Sequence, residues 1–203
     1  SAGRRRPLVS AMASQQRSRK ALGLWMNGHF VGTWSLEAGG DVLQYDSQWV
    51  QSPQRRPLSL SLPFTPGNRP HKGDTVRFYF ENLLPDSKDI RERVARRYQV
   101  GATDAYTLLR EVGRDCVGAL QILPARDEPP TDLRVQAEPM SDHAVAQRIR
   151  TLAQPGALGD AGMADDFRIS IAGAQEKDAL LFWQGRWCRP LGATPTTHIF
   201  KLP

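Results

Sequence analysis

Two lysines, a serine and a run of small residues are the part of this chain with the clearest chemical potential. Phe167-Arg168-Ile169-Ser170-Ile171-Ala172-Gly173-Ala174-Gln175-Glu176-Lys177 reads as strand, small-residue loop and exit into a further strand, and Thr196-Thr197-His198-Ile199-Phe200-Lys201 follows as a strand ending in a second lysine. A polyphosphate site needs backbone N–H groups that can approach phosphate oxygens, together with cations to balance their charge. Ala172-Gly173-Ala174 offers a backbone almost free of side-chain bulk, Ser170 and Gln175 add hydrogen-bonding groups, and Lys177 and Lys201 supply two ammonium groups that could converge on one ligand. On these residues alone an ordinary hairpin with a surface lysine fits at least as well. There is one glycine where kinase loops commonly show G-x-G-x-x-G, and the stretch does not read G-x-x-x-x-G-K-[ST].

The elements that must position these groups follow from periodicity. Leu22, Leu24 and Met26 alternate up to Asn27-Gly28, and Phe30, Gly32 and Trp34 resume beyond it; Asn-Gly between alternating runs predicts a hairpin. Asp41 to Asp46 reads as a third strand. Leu58-Ser59-Leu60-Ser61-Leu62 predicts a half-buried strand by its period of two. Helices are expected over Val76 to Leu84, after a cap at Asp86 or Ser87 with Ile90, Val94 and Tyr98 on one face, and from Thr103 to Val112 with Gly113 as its stop. Ala119 to Leu123 returns to strand. Pro124 to Pro139 has linker composition, Ser141 to Leu152 reads as a short helix, and Gln154 to Gly162 as a loop. Ala179 to Trp183, Arg186 to Arg189 and His198 to Lys201 then read as strands, with a turn at Gln184-Gly185.

The fold expected is α+β in two parts: an amino-terminal sheet-plus-helices subdomain over residues 22–123, and an antiparallel strand set over 164–203 arranged like the start of a kinase amino-terminal lobe. A linker with a short helix, 124–163, joins them, and a basic tail expected to be disordered covers 1–21.

Composition bounds the function. Of 203 residues 40% are hydrophobic and 24% charged, a globular balance, and the five tryptophans supply bulk for a core. No apolar run is long enough to cross a bilayer and no secretory h-region opens the sequence, so a cytoplasmic protein with no membrane partner is expected. Cys116 and Cys188 lack CxxC spacing and read as reduced, buried cysteines, while His29, His71, His143 and His198 share no metal-ligand spacing. The net charge of +6 suggests a polyanion partner until it is located. Arg4, Arg5, Arg6, Arg17, Arg19 and Lys20 precede the first acid, Glu37; without those six, 21 basic residues face 21 acidic ones. The arginines of the helix after Pro85, namely Arg91, Arg93, Arg96 and Arg97, are expected to form a solvated face, and Arg114-Asp115 a turn or internal ion pair.

From Leu22 onward the sequence resembles the amino-terminal part of HipA, the toxin kinases of HipBA toxin–antitoxin modules. Trp25-Met26-Asn27, Arg56-Pro57-Leu58-Ser59-Leu60-Ser61-Leu62-Pro63, Phe80-Glu81-Asn82-Leu83-Leu84-Pro85-Asp86-Ser87 and Gly113-Arg114-Asp115 with Val117-Gly118-Ala119 carry the likeness. So do Asp166 through Lys177 and Thr194 through Pro203. The resemblance implies an ATP- and magnesium-dependent serine/threonine kinase whose best-known target, glutamyl-tRNA synthetase, is inactivated to produce growth arrest and persistence. It implies that Ile171, Ala172, Gly173, Ala174, Gln175, Glu176 and Lys177 cradle the ATP phosphates with Lys201 as a second contact. Ser170 would be an autophosphorylation site whose modification repels nucleotide. It also implies a HipB-like helix-turn-helix antitoxin as partner, with operator DNA reached mainly through it. The family's catalytic aspartate, asparagine and metal-binding aspartate belong to a carboxy-terminal helical lobe with no counterpart here. No catalytic or metal-binding residue is therefore assigned within these residues, and the chain alone is expected to transfer no phosphate at a useful rate. The alternative is a non-catalytic binding module or split-system subunit that contacts an antitoxin, DNA or a separate catalytic chain.

Overall fold

The computed structural model describes residues 21–115, 119–129, 134–152, 177–191 and 194–201. Their first sheet begins with β1 (Ala21–Met26), β2 (His29–Glu37) and β3 (Gly40–Tyr45), a meander of antiparallel pairs. The hairpin expected at Asn27-Gly28 is present, with φ of 50° and 79° at the two turn residues, the left-handed geometry that this dipeptide tolerates. Between Leu24 and Trp25 the register slips, leaving Val31 as the extra residue of a bulge. The neighbouring Gly32 lies so close to β3 that a Cβ there would stand 2.2 Å from the Gln44 carbonyl oxygen.

A short helix, α1 (Ser47–Gln51), follows, capped by the Asp46 carboxylate, which accepts from the Gln48 and Trp49 amides. The chain then crosses an irregular stretch to β4 (His71–Lys72), which pairs with β3 at the sheet edge. Helices α2 (Asp74–Glu81), α3 (Lys88–Arg97) and α4 (Ala105–Val112) come next. Strand β5 (Leu120–Pro124) returns antiparallel to β1, giving the order β4-β3-β2-β1-β5. In α4, Leu109 and Val112 are buried and Tyr106 partly so, and Gly113 is the C-cap, the stop expected of it; a Cβ at Gly113 would meet Ile122 at 2.6 Å, so this helix end needs glycine to sit on β5. The helices cover one face of the sheet, and Leu22, Leu24, Trp34, Leu43, Phe80, Leu84 and Leu108 form the center of the core.

The second sheet has the order β6-β8-β7-β9, all antiparallel: β6 (Ala137–Pro139), β7 (Lys177–Trp183), β8 (Arg186–Pro190) and β9 (His198–Lys201). Helix α5 (Asp142–Leu152) precedes β7 in the chain and is tied to it by the Arg148–Asp178 ion pair. The mixed α/β architecture with antiparallel sheets is the α+β class the periodicity implied. Among the described residues no helix is long and apolar enough to cross a membrane.

Several local expectations are corrected. Leu58–Leu62 is not a strand. The buried Tyr45 hydroxyl accepts from the Leu58 amide at 2.8 Å and donates to the Leu62 carbonyl at 2.6 Å, and the Leu62 amide closes a turn on Ser59; the backbone groups a ladder would use are already bonded. The helix expected over Val76 to Leu84, α2, opens at Asp74, two residues early, and stops at Glu81. Ser87 rather than Asp86 caps α3, its hydroxyl accepting from the Ile90 amide. The proline-rich stretch through Pro139 contributes the edge strand β6. Of the tryptophans, Trp34 and Trp49 are core residues, but Trp183 is 45% exposed. Arg91 leaves the solvated face: it donates to the Glu81 carboxylate and, at 2.7 Å, to the Pro85 carbonyl, tying α3 to the end of α2. Gly113–Asp115 forms a 3-10 turn, and Arg114 pairs with Asp127 at 3.7 Å on the surface, the two side chains 55% and 47% exposed. Cys188 is buried and reduced, whereas Cys116 lies outside the described residues.

Candidate phosphate-binding lysine pair

Lys177 opens β7 and Lys201 closes β9. The antiparallel register makes the two residues direct partners across the ladder, followed by Asp178–Phe200, Ala179–Ile199 and Leu180–His198. Directly opposed residues share a face of the sheet, with Cβ atoms about 4.5–5.5 Å apart. The two ammonium groups lie 24 residues apart in sequence and now belong to one rung. Like charges on one rung repel, so the arrangement is unfavorable in the absence of an anion and is relieved by one.

That repulsion registers on Lys177. Its pKa is held below the ordinary 10.5 first by burial and then by the Lys201 charge, and the Asp86 carboxylate acts in the opposite direction. Asp86 comes from the turn between α2 and α3 in the first sheet's helical layer. Ser87, not Asp86, caps the helix, and the Asp86 carboxylate is close enough to favor the charged form of Lys177. The sequence offers Asp86 or Ser87 as the cap and does not show the electrostatic reach of Asp86, since 91 residues separate it from Lys177 and no local pattern connects them.

The opposite face of the same strands is built differently. Asp178 points away from the lysines and accepts both arms of the Arg148 fork from α5, the Nη2 contact measuring 2.9 Å; these side chains are only 11% and 12% exposed. Further along this face Trp187 meets His198, Phe182 and Phe200 edge-on at 4.9, 5.0 and 5.2 Å between ring centers. His198 is thus part of an aromatic cluster. Thr197 anchors the start of β9 by accepting from the Phe182 amide at 2.7 Å. The lysine face carries Ile199, 56% exposed, next to the charged rung. Two cations with an exposed aliphatic residue beside them make a surface suited to an organic polyphosphate.

Of the site residues expected from sequence, Lys177 and Lys201 are therefore brought together. Ser170, Ile171, Ala172, Gly173, Ala174, Gln175 and Glu176 lie outside the described residues. Among the described residues no group of three or more His, Cys, Asp or Glu is placed to hold a metal ion.

Comparison with known proteins adds a family. A family model described as the HipA N-terminal domain matches residues 22–123. The putative kinase Y4mE of Sinorhizobium fredii is 30% identical over 200 residues, covering 91% of this chain and 43% of the relative. The serine/threonine-protein kinase toxin HipA of Shewanella oneidensis is 26% identical over 175 residues, covering 85% of this chain and 37% of the relative. A solved complex of Shewanella oneidensis HipA, HipB and operator DNA contains a chain that superposes with a TM-score of 0.63 at 24% identity, over 89% of this chain and 40% of that one, a likeness in fold. The sequence spans less than half the length of each of these relatives.

Proposed function

This chain belongs to the HipA family, and from that premise we propose that it supplies the nucleotide-phosphate side of a HipA-like serine/threonine kinase. The observation that carries the reading is the shared rung of Lys177 and Lys201. ATP is the ligand this pair suits: its phosphates would place negative charge where two ammonium groups repel each other, and Ile199 offers an apolar surface beside them. When bound, ATP supplies the transferable phosphoryl group. The chain's own part is to neutralize and position the phosphates, which in phosphoryl transfer is most of what a protein contributes. The proposal assigns no magnesium ligand to the described residues.

Ser170 and the run Ile171 to Glu176 join the proposal by sequence position, as the segment leading directly into Lys177. Phosphate on Ser170 would compete with nucleotide for the same two cations, which gives autophosphorylation a means of regulation. The kinase and toxin names of the relatives, and the HipB and operator DNA in the solved complex, support a role in a toxin–antitoxin module. A helix-turn-helix antitoxin is the proposed partner, and a translation factor such as glutamyl-tRNA synthetase the proposed target.

Calorimetric titration of ATP into the 203-residue chain tests the reading. Lys201→Met is expected to weaken binding by about tenfold or more, the loss of one charge-assisted contact to phosphate. Lys177→Met should do the same, and neither substitution should lower the melting temperature, since each removes one of two like charges on a rung. Binding that is absent in the wild type, or indifferent to both substitutions, would falsify the proposal.

A pH titration adds a sign. A lysine with a depressed pKa is charged only below that value, so ATP affinity should be highest near neutrality. It should fall as pH rises through the lowered Lys177 pKa, before an ordinary lysine at 10.5 discharges. Lys201→Met removes one of the two causes of the depression, and the Lys177 pKa, followed by NMR of the side-chain carbon next to Nζ, is expected to rise. An unchanged value would show that the two ammonium groups do not sense each other.

A further inference from the structure

The segment between α1 and α2 carries an inference that does not depend on the lysine pair. From Ser47 to Gly73 the sequence contains no Asp or Glu, yet it holds Arg55, Arg56, Arg69 and Lys72. All four side chains are exposed, and among the described residues none takes part in an ion pair. Several other cations of the first sheet and its helices are paired: Arg77 with Asp74, Lys88 with Glu92, Arg91 with Glu81 and Arg114 with Asp127, while Arg96 on α3 is exposed without an ion pair. The acids that border the segment in sequence are also engaged, Asp41 accepting from the Trp34 indole at 2.8 Å and Asp46 capping α1.

The segment is irregular in secondary structure but held at many points. Tyr45 bonds both Leu58 and Leu62 through its hydroxyl and meets the rings of Phe64 and His71. The Trp49 indole donates to the Arg56 carbonyl at 3.0 Å, His71 Nε2 lies 2.7 Å from the Pro63 carbonyl, and Thr65 donates to the Arg69 carbonyl at 2.6 Å. Gln44 and Asn68 bond each other's backbone region, Gln44 to the Asn68 carbonyl at 2.9 Å and Asn68 to the Tyr45 carbonyl at 2.9 Å. Both flanks of the segment therefore close on Tyr45, and the four cations ride on a backbone already ordered before a ligand arrives. Little conformational entropy remains to be lost on binding.

We propose that this acid-free segment is a contact surface for the phosphate backbone of duplex DNA. Arg55 donates one guanidinium N–H to the Val50 carbonyl at 3.3 Å, and none of the four groups has a carboxylate partner; cations without a counter-charge on a fixed scaffold suit the regularly spaced charges of a phosphodiester chain. A protein interface has a charge-depleted, apolar core instead. The one large apolar side chain exposed in this segment is Leu60, at 96%, set between Ser59 and Ser61 in the sequence.

Fluorescence anisotropy of a labelled mixed-sequence duplex, titrated with the full 203-residue chain across about 50–200 mM salt, tests it. A variant combining Arg55→Gln, Arg56→Gln, Arg69→Gln and Lys72→Gln should bind at least about tenfold more weakly at the low-salt end. Its log–log salt slope should be smaller by about 3–4, close to one per lost phosphate contact. Arg96→Gln with Arg97→Gln on α3 is the control for generic charge and should bind within about twofold of wild type. Replacing the six basic residues of positions 4–20 by glutamine separates the tail, and in that background the loop substitutions should still lower the slope. If the four-residue variant melts early, Arg56→Gln and Lys72→Gln are read singly, each expected to reduce the slope by about one. The proposal is overturned if the loop variant binds like wild type, if the helix control loses as much, or if the tail variant abolishes all binding. Equal displacement by polyglutamate and by DNA at matched charge would also overturn it, in favor of an acidic protein partner.

Discussion

Phe80→Ala is expected to cost about 3–5 kcal/mol of folding free energy, the range for truncating a large aromatic residue in a core that cannot collapse. Phe80 is fully buried, and its ring lies flat on Trp34 with centroids 3.7 Å apart and planes within 5°. Trp34 is held in turn. Its indole donates to Asp41, and Tyr106 packs against it edge-on at 5.0 Å. The hole left by Phe80 would thus have walls on β2, α2 and α4, each fixed by other contacts, and relaxation could recover little. Phe78, two residues earlier on the same helix, is 54% exposed and rests under the Arg77 guanidinium at 4.7 Å. Phe78→Ala should therefore change stability by about 0.5 kcal/mol at most. Urea unfolding of the two variants, with the slope against denaturant checked for constancy, measures the contrast. Equal losses would mean that the stack on Trp34 is not what holds the helices to the sheet.

Most of the framework for this stack was legible from residue spacing. Asn27-Gly28 fixes a hairpin because both positions accept a positive φ, and Gly113 ends α4 where any side chain would strike Ile122. Period two failed at Leu58–Leu62 because one buried phenol claims backbone groups at both ends, a contact made from 13 and 17 residues away. Proline content concealed β6, since an edge strand can end in Pro139 without leaving a ladder acceptor unpaired in the sheet interior. The candidate site was legible in kind and not in geometry. The types of Lys177 and Lys201 pointed to phosphate, but their shared rung depends on strand register, which no short pattern encodes. Asp86 and Arg148 were invisible for the same reason: each acts on β7 from an element formed elsewhere in the chain.

Arg148→Ala should bring the other large loss, again about 3–5 kcal/mol, because it leaves the Asp178 carboxylate buried without its countercharge. The fork donates through Nε and Nη2, and the carboxylate also accepts from the Ala179 amide at 2.8 Å, so its oxygens are committed to the position. Removing the arginine strands a charge in a site only 12% exposed, which is costlier than never having placed one there. Arg148→Met with Asp178→Leu should accordingly be more stable than Arg148→Ala alone, and a double-mutant cycle built on these positions should return a clear coupling energy. The consequence reaches the lysines through the register. Asp178–Phe200 is the rung next to Lys177–Lys201, at the end of β7 that α5 clamps. If that clamp fixes the end of the ladder, Arg148→Ala should lower ATP affinity as well as stability, while the apolar double variant restores part of the stability and not the affinity. Arg148→Lys, which keeps the charge and loses the fork, should fall between them. A neutral Arg148→Ala would instead place the pair among ordinary surface contacts and leave the lysine rung to be held by the strands alone.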